Sequence, residues 1–461
     1  MLKSIKGQEK YNYLRKSYKQ FIYKGFNSQI TKDFVRVSYD FSIDEKITFT
    51  PEFKIPITPL LVNFSEDNFI ENEIIRNLLF NIGLIELISY WKAACPKEIL
   101  IMPYKLSDEQ IDWWKHLYFN GLGEFFYTNN IQENIDDFVN VKCDENAATL
   151  KPYSYKTDDT IIIPVGGGKD SVVSLELIKT QYKIVPFIIN PSKTTLACTE
   201  VAGFINDSIL SVLRTIHPTL LELNAKGFLN GHTPFSALLA FYSLLIAYLS
   251  GHKYIALSNE SSANEPTVVG TNINHQYSKS FEFEENFRQY ASKYISPDVS
   301  YFSFLRPLNE LQIAQQFAKF TNYHSVFRSC NAGSKENIWC CNCPKCLFAY
   351  IILSPFISLD KLKVIFGEDL FDKKSLLYIF KQLCGIEDVK PFECVGTISE
   401  VNAALHMTIS KYEGDLPFLL DFYKSTNLYE KYDLQHFTML LNDFDMNNNL
   451  PEGLLNMLRN R

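Results

Sequence analysis

The chain has 461 residues and a formal net charge of −7, from 45 Lys and Arg against 52 Asp and Glu. Its length allows two to four domains, and 46% hydrophobic with 21% charged residues excludes a largely disordered chain. The acidic balance argues against a general nucleic-acid binder, which needs excess Lys and Arg to neutralise phosphates; a local basic pocket remains compatible with it.

The first residues, Met1 to Glu9, are polar and lack the apolar segment of a secretory signal. Further on, Val35, Val37, Tyr39 and Phe41 alternate with polar residues, the period of a half-buried strand. Asp44 to Lys46 turns the chain into a second alternating run, Ile47 to Ile55, so a β-hairpin or small sheet is expected. Two helices should follow. One spans roughly 66–93 after Ser65, and the other starts at Ser107, where Ser107 and Gln110 fit a capping box. Residues 1–155 therefore read as an α+β domain, ending in a polar linker from Gln132 to Asp159. Trp113 and Trp114 suit core packing better than stacking on a base.

The pattern changes at Thr160. Strands are expected at 160–165, 184–189, 220–223 and 254–258, with helices at 171–180 and 235–249. The apolar stretch Phe235–Leu249 is interrupted by serines and is shorter than the ~20 residues of a membrane span, so it reads as a buried helix and no membrane partner is expected. Fully apolar strands alternating with helices indicate an α/β fold, a parallel sheet covered on both faces, over residues 156–355. Residues 356–461 read as helical.

Pro164-Val-Gly166-Gly-Gly-Lys-Asp-Ser171 follows a strand and opens a helix. Glycines let the backbone approach an anion, and the helix N-terminus offers free N–H groups, which together make a phosphate site. A Walker A loop fails, because Ile163 and Asp170 stand where it needs Gly and Ser or Thr. A dinucleotide fingerprint fails at Ser171. The cysteines Cys330-x9-Cys340-x2-Cys343-x2-Cys346 have spacings suited to a tetrahedral Zn²⁺, with Cys341 one thiol more than needed and an alternative to Cys340 as the ligand. Ten cysteines without an export signal point to a reducing compartment, and the expected location is the cytoplasm.

The glycine turn resembles the PP-loop of ATP pyrophosphatases, Ser-Gly-Gly-x-Asp-Ser. Gly167, Gly168, Asp170 and Ser171 match, while Gly166 replaces the first Ser. The resemblance implies a PP-loop sheet, ATP cleaved between its α- and β-phosphates, contacts from Gly166 to Ser171 including Lys169, and Asp170 near Mg²⁺. The same turn followed by a cysteine cluster also resembles the deazaguanine nitrile synthase of the queuosine pathway. Longer blocks are more specific: Asn230–Ser236, Ser258–Pro266, Asn274–Glu282, Phe327–Asn331, Cys343–Cys346, Pro391–Thr397 and Glu86–Lys97. Together they resemble the UDP-N-acetylmuramoyl-L-alanyl-L-glutamate epimerase family, MurL. That resemblance implies ATP- and Mg²⁺-dependent inversion of the terminal glutamate of a UDP-N-acetylmuramoyl dipeptide.

Such chemistry has a physical rationale. Removing the Cα proton of a free carboxylate builds a second negative charge beside the first, whereas adenylation neutralises the carboxylate and acidifies the Cα–H. For the proton transfer Glu260, His275, Lys279 and Cys394 are the candidates; Glu260 is alternatively a Mg²⁺ ligand, and Cys394 alternatively a buried thiol. His232 either contacts phosphate or caps a turn. Arg214, Arg306 and Arg328 are expected on the substrate's anions, with Asn259 and Glu265 in the loop after the 254–258 strand. The competing readings are a PP-loop amide- or nitrile-forming synthase and a nucleotide- or tRNA-binding module.

Overall fold

The alternation at Val35–Phe41 becomes a strand whose apolar side chains are buried. The computed structural model describes residues 2–66, 69–268 and 270–460. The chain opens with α1 (Gly7–Ser17), β1 (Gln20–Ile30), β2 (Phe34–Ile43), β3 (Ile47–Phe49) and β4 (Glu52–Pro56). β1 goes unpredicted because its buried residues, Phe21 to Tyr23, are consecutive rather than alternating. The run 47–55 forms two strands on β2, divided at Pro51, which has no N–H for a ladder.

α2 (Glu73–Trp91) starts later than expected. Its cap is Asn72, whose side chain accepts from the Ile74 and Ile75 N–H groups, and not Ser65; residues 67 and 68 of the expected helix lie outside the described residues. α2 is the one described helix long and apolar enough to cross a membrane, yet 89% of its apolar window is buried inside the molecule. There follow β5 (Glu98–Ile101), α3 (Asp108–Gly121) with the expected Ser107–Gln110 capping box, α4 (Gly123–Thr128) and β6 (Asn140–Cys143). β6 lies inside the expected linker and pairs with β5. Trp113 and Trp114 pack in the core, where Trp113 stacks on Tyr290.

The alternating region runs β7 (Asp158–Pro164), α5 (Lys169–Ile178), β8 (Ile184–Ile189), α6 (Lys193–Val201), β9 (Leu210–Arg214), α7 (Pro218–Lys226), α8 (Phe235–Ser250), β10 (His252–Leu257), α9 (Phe281–Tyr294), β11 (Ser300–Ser303), α10 (Glu310–Lys319) and α11 (Pro344–Leu353). The described residues after Leu359 are helical or irregular. The expected strand at 220–223 is instead part of α7. Pro218 opens that helix, and the buried Leu220 and Leu223 stand three residues apart, at helical spacing. The strand is β9, which starts ten residues earlier in sequence.

All the strands belong to one sheet, in the order β11-β10-β7-β8-β9-β4-β2-β1-β5-β6, with β3 beside β2. The block from β11 to β9 is parallel, and β9 joins the N-terminal strands through an antiparallel pairing with β4. Alternate residues of β7 face two different cores. Ile162 packs with α2, α3 and α8, while Ile161 and Ile163 pack with α5, α10 and the C-terminal helices. Both faces are thus covered, which is why these strands read as unbroken apolar runs. β8 and β9 lie on one side of β7, and β10 and β11 on the other, so the strand order reverses between β7 and β10. A crevice opens outside their carboxyl ends, the position where open α/β sheets bind ligands.

Candidate active site

The crevice is a cavity of about 760 Å³. The glycine turn leaves β7 and forms its floor. Gly167 has φ +80°, and a Cβ there would stand 2.7 Å from Thr194 Cγ2, so both backbone and space demand glycine. Gly168 caps α5 without any side-chain acceptor, leaving the first N–H groups of α5 to face the cavity. Ser171 lines the same wall and donates its hydroxyl to the Gly168 carbonyl at 3.0 Å.

Beside the turn stand three carboxylates. Asp170, Glu260 and Glu310 bring their oxygens within 4.8 Å of one another, a donor set suited to a hard divalent cation. Asp170 is the second residue of α5, Glu260 follows β10, and Glu310 is the first residue of α10 behind an Asn309–Gln312 capping box. Lys169 lies among them, bonded to Asp170 at 2.5 Å and to Glu310. Burial would discharge this ammonium, but Asp170 and Glu310 outweigh it and raise its pKa. Burial also raises Glu260 and Glu310, against the opposing pull of Lys279 and Lys169 respectively. Three carboxylates against Lys169 and Lys279 leave this corner one positive charge short. The sequence does not single out Glu310, although the capping box after a strand marks a helix start at the crevice.

A second cluster lines the cavity. Cys394 lies in the loop Pro391–Thr397 before the helix Ile398–Ser410, and Lys279 donates to its sulfur at 3.3 Å. The loop docks on the middle of the chain through Lys390 N–H to the Thr267 carbonyl and Gln276 Nε2 to the Val395 carbonyl. Burial would raise the Cys394 thiol, but Lys279 and a hydrogen bond from His275 hold it well below the thiol range. Lys279 is correspondingly raised: burial is outweighed by Cys394 and Glu260. His275 hydrogen-bonds Glu124 through Nδ1 at 2.5 Å. Burial would lower its pKa, yet Cys394 and Glu124 raise it to about 9. His232, expected at a phosphate or a turn cap, lines the cavity beside His275, with ring centroids 4.5 Å apart. Burial and His275 push it down to about 4, so it is neutral at pH 7. It caps nothing; α8 begins after Pro234 with no side-chain cap.

Asn259 and Arg328 also line the cavity. Asn259 donates to Ser303 Oγ at 3.0 Å, and Arg328 donates to the Phe327 carbonyl at 2.6 Å. Three expected anion or substrate contacts are not brought to the cavity, each for an electrostatic reason. Arg214 clamps the buried Glu86 through Nε and Nη2. Arg306 is fully buried and donates to the carbonyls of Glu260 (2.6 Å) and Lys279 (2.5 Å), fixing the backbone of both loops. Glu265 pairs with Lys390.

The four expected cysteines converge at the edge of the cavity. The sulfur separations are 3.7 Å for Cys330–Cys343, 3.8 Å for Cys340–Cys346 and 3.4 Å for Cys343–Cys346. Four sulfurs at ~2.3 Å from one ion stand roughly 3.8 Å apart, so the set fits tetrahedral Zn²⁺. Cys341 has φ +56° and turns away, its sulfur 3.2 Å from the Phe366 carbonyl. The cluster supports the Cys394 loop, because Asn331 donates to Glu393 at 2.8 Å and Lys345 stands 3.9 Å from it.

Comparison with known proteins covers most of the chain. The MurL N-terminal domain matches residues 12–304 and the MurL C-terminal domain residues 325–424. Three curated relatives carry the name UDP-N-acetyl-alpha-D-muramoyl-L-alanyl-L-glutamate epimerase. That of Xanthomonas oryzae pv. oryzae is 35% identical over 348 residues, 74% of this chain and 76% of the relative. That of a Micromonospora species is 36% identical over 330 residues, 69% and 72% of the two chains. That of Salinispora tropica is 35% identical over 328 residues, 69% and 70%. No solved structure matches significantly.

Proposed function

Since the chain belongs to the MurL epimerase family, we propose that it inverts the terminal L-glutamate of UDP-N-acetylmuramoyl-L-alanyl-L-glutamate at Cα, after activating the glutamate α-carboxylate with ATP. The enzyme is an isomerase serving peptidoglycan precursor synthesis. The observation that carries this reading is one cavity holding both an anion-binding glycine turn and a Cys–Lys–His cluster. The first suits activation of a carboxylate and the second suits proton exchange.

Residues 166–171 act as a PP-loop. The α5 N-terminus and the glycine backbone hold the polyphosphate, and Lys169 offsets its charge. Asp170, Glu260 and Glu310 would hold Mg²⁺, which neutralises polyphosphate charge when bound. This allots Glu260 to the metal rather than to proton transfer. The α-carboxylate attacks the α-phosphorus, pyrophosphate leaves, and an acyl-adenylate forms. Cys394, as thiolate, takes the Cα proton, and the electron pair passes into the neutralised acyl group. His275 and Lys279, both cationic beside it, are the acids that return a proton. Water then releases AMP and the D-isomer. Arg328 and Asn259 are assigned to the substrate. We assign a structural Zn²⁺ to the four cysteines, and a cluster of reduced thiols supports a cytoplasmic location. We assign residues 1–155 to substrate support, 156–355 to nucleotide chemistry and 356–461 to a helical part that delivers Cys394.

The test is one reaction with ATP, Mg²⁺ and the UDP-dipeptide. AMP, pyrophosphate and D-glutamate after hydrolysis of the product are expected together. AMP with an amide product points to the synthase chemistry, and no AMP overturns the reading.

A further inference from the structure

Glu124 has no place in the proposed chemistry, yet it is the common partner of both cavity histidines. Its Oε2 accepts from His275 Nδ1 at 2.5 Å and lies 3.6 Å from His232 Nδ1. It is the second residue of α4, 151 positions before His275 and 270 before Cys394. α4 is anchored independently of that contact. Tyr127 packs on Phe392 with ring centroids 5.3 Å apart, two residues from Cys394, and the Cα face of Gly123 looks onto Ile273. One short helix of the N-terminal part thus touches both the loop carrying His275 and the loop carrying Cys394.

We infer that Glu124 is a positioning residue for the proton transfer: by accepting the Nδ1–H of His275 it fixes the orientation of the ring, so that the imidazolium pairs with the Cys394 sulfur. The inference rests on the epimerase reading for its catalytic consequence, though not for its chemistry. A thiol, an imidazole and a carboxylate in this order form the arrangement by which a nucleophile or base is activated and its neighbour oriented. No bond is made or broken by Glu124. The Cα proton goes to sulfur, its electron pair stays on the substrate, and the carboxylate stabilises the imidazolium beside the thiolate.

The surrounding charges fit this division of labour. Lys279 and Lys345 face Cys394 with positive charge, and Glu260 and Glu393 face this part of the cavity with negative charge. Lys92, bonded to the Gly231 carbonyl, stands near His232 and Glu124. His232 is held neutral, so it does not compete with His275 for the carboxylate as a second cation.

The test uses the full-length protein with Glu124→Gln and Glu124→Asp, their folding checked by circular dichroism. Cys394 alkylation by iodoacetamide is followed by mass spectrometry from pH 5 to 10, with D-glutamate and pyrophosphate measured in parallel. Glu124→Gln should move the midpoint of Cys394 alkylation to higher pH and lower the D-glutamate to pyrophosphate ratio at least tenfold. Glu124→Asp, which keeps the charge, should restore part of both. If Glu124→Gln fails to fold, Glu124→Asp alone must show the same two changes in smaller degree. An unmoved alkylation profile in a folded variant overturns the inference. So does finding, by elemental analysis, a metal other than zinc bound stoichiometrically in the wild type and lost in Glu124→Gln, because the cluster is then a metal centre. Wild type that alkylates as expected but forms no D-glutamate instead sinks the epimerase reading alone.

Discussion

At the residue scale the site is a problem of charge placement. Cys394 is useful only as a thiolate, and its burial works against that; Lys279 and His275 supply the opposing charge. The sequence marks these three because each sits in a polar block of unusual composition, and the fold brings them together. It gives no warning of Glu124, an ordinary acidic residue in a short helix whose partner is 151 positions away. Nor does it separate the arginines: Arg214 and Arg306 look as suited to anions as Arg328 until Glu86 and the loop carbonyls claim them. One prediction belongs here. His275 is raised to about 9, so it is charged at neutral pH and gives up its proton as pH rises through that value. The pair then has one acid fewer to return a proton. The rate of D-glutamate formation should be level between pH 7 and 8 and fall above about 9, by up to tenfold per pH unit. A kcat profile checks it. Cys394→Ala should cut D-glutamate formation by about 10²–10⁴, with pyrophosphate release reduced far less, as measured by parallel product assays.

At the element scale the crevice depends on how strands end. β7 passes into the glycine turn, and β10 into the Asn259–Glu260 loop, with the strand order reversing between them. Most of this was legible, because parallel strands buried on both faces read as apolar runs and glycines mark the turn. β9 was not: Leu213 is apolar yet exposed and so breaks the polar alternation that the buried Leu210 and Val212 begin, and a more apolar stretch lies nearby, at helical spacing. Gly167→Ala places a methyl against Thr194 in a left-handed backbone that costs about 1–2 kcal/mol for a non-glycine residue. It should lower pyrophosphate release at least tenfold and leave the far-ultraviolet circular dichroism unchanged. The cysteine cluster should hold one zinc per chain by elemental analysis. Cys343→Ser should lose it and, by loosening Asn331 and Lys345 on Glu393, lower epimerisation; Cys341→Ser should keep both, since its thiol faces the Phe366 carbonyl.

At the scale of the whole molecule the parts are joined by more than a linker. β4 and β9 pair edge to edge, and one hydrophobic core runs from the N-terminal strands through α2 to α8 and α9. Glu86 on α2 and Arg214 on β9 lock that seam with three hydrogen bonds. Composition could place helices and strands on either side of residue 155, but a pairing between edge strands 160 positions apart leaves no local pattern. Arg214→Leu strands a buried carboxylate and should cost about 3–5 kcal/mol in urea unfolding, whereas Glu86→Leu/Arg214→Leu should recover most of it. The cavity is lined from Pro164 to Cys394: Asp170 and His275 come from the middle of the chain and Cys394 from the C-terminal helical part, while Glu124 of the N-terminal part reaches it through His275.

The central claim is that carboxylate activation and Cα proton exchange occur in this one cavity, the first enabling the second. The most direct measurement is the reaction in deuterium oxide with and without ATP, reading deuterium at the glutamate Cα and the configuration of the product. The account predicts one solvent deuterium in each D-glutamate formed, and none exchanged when ATP is withheld. Exchange without ATP, or D-glutamate that retains its original hydrogen, would contradict it.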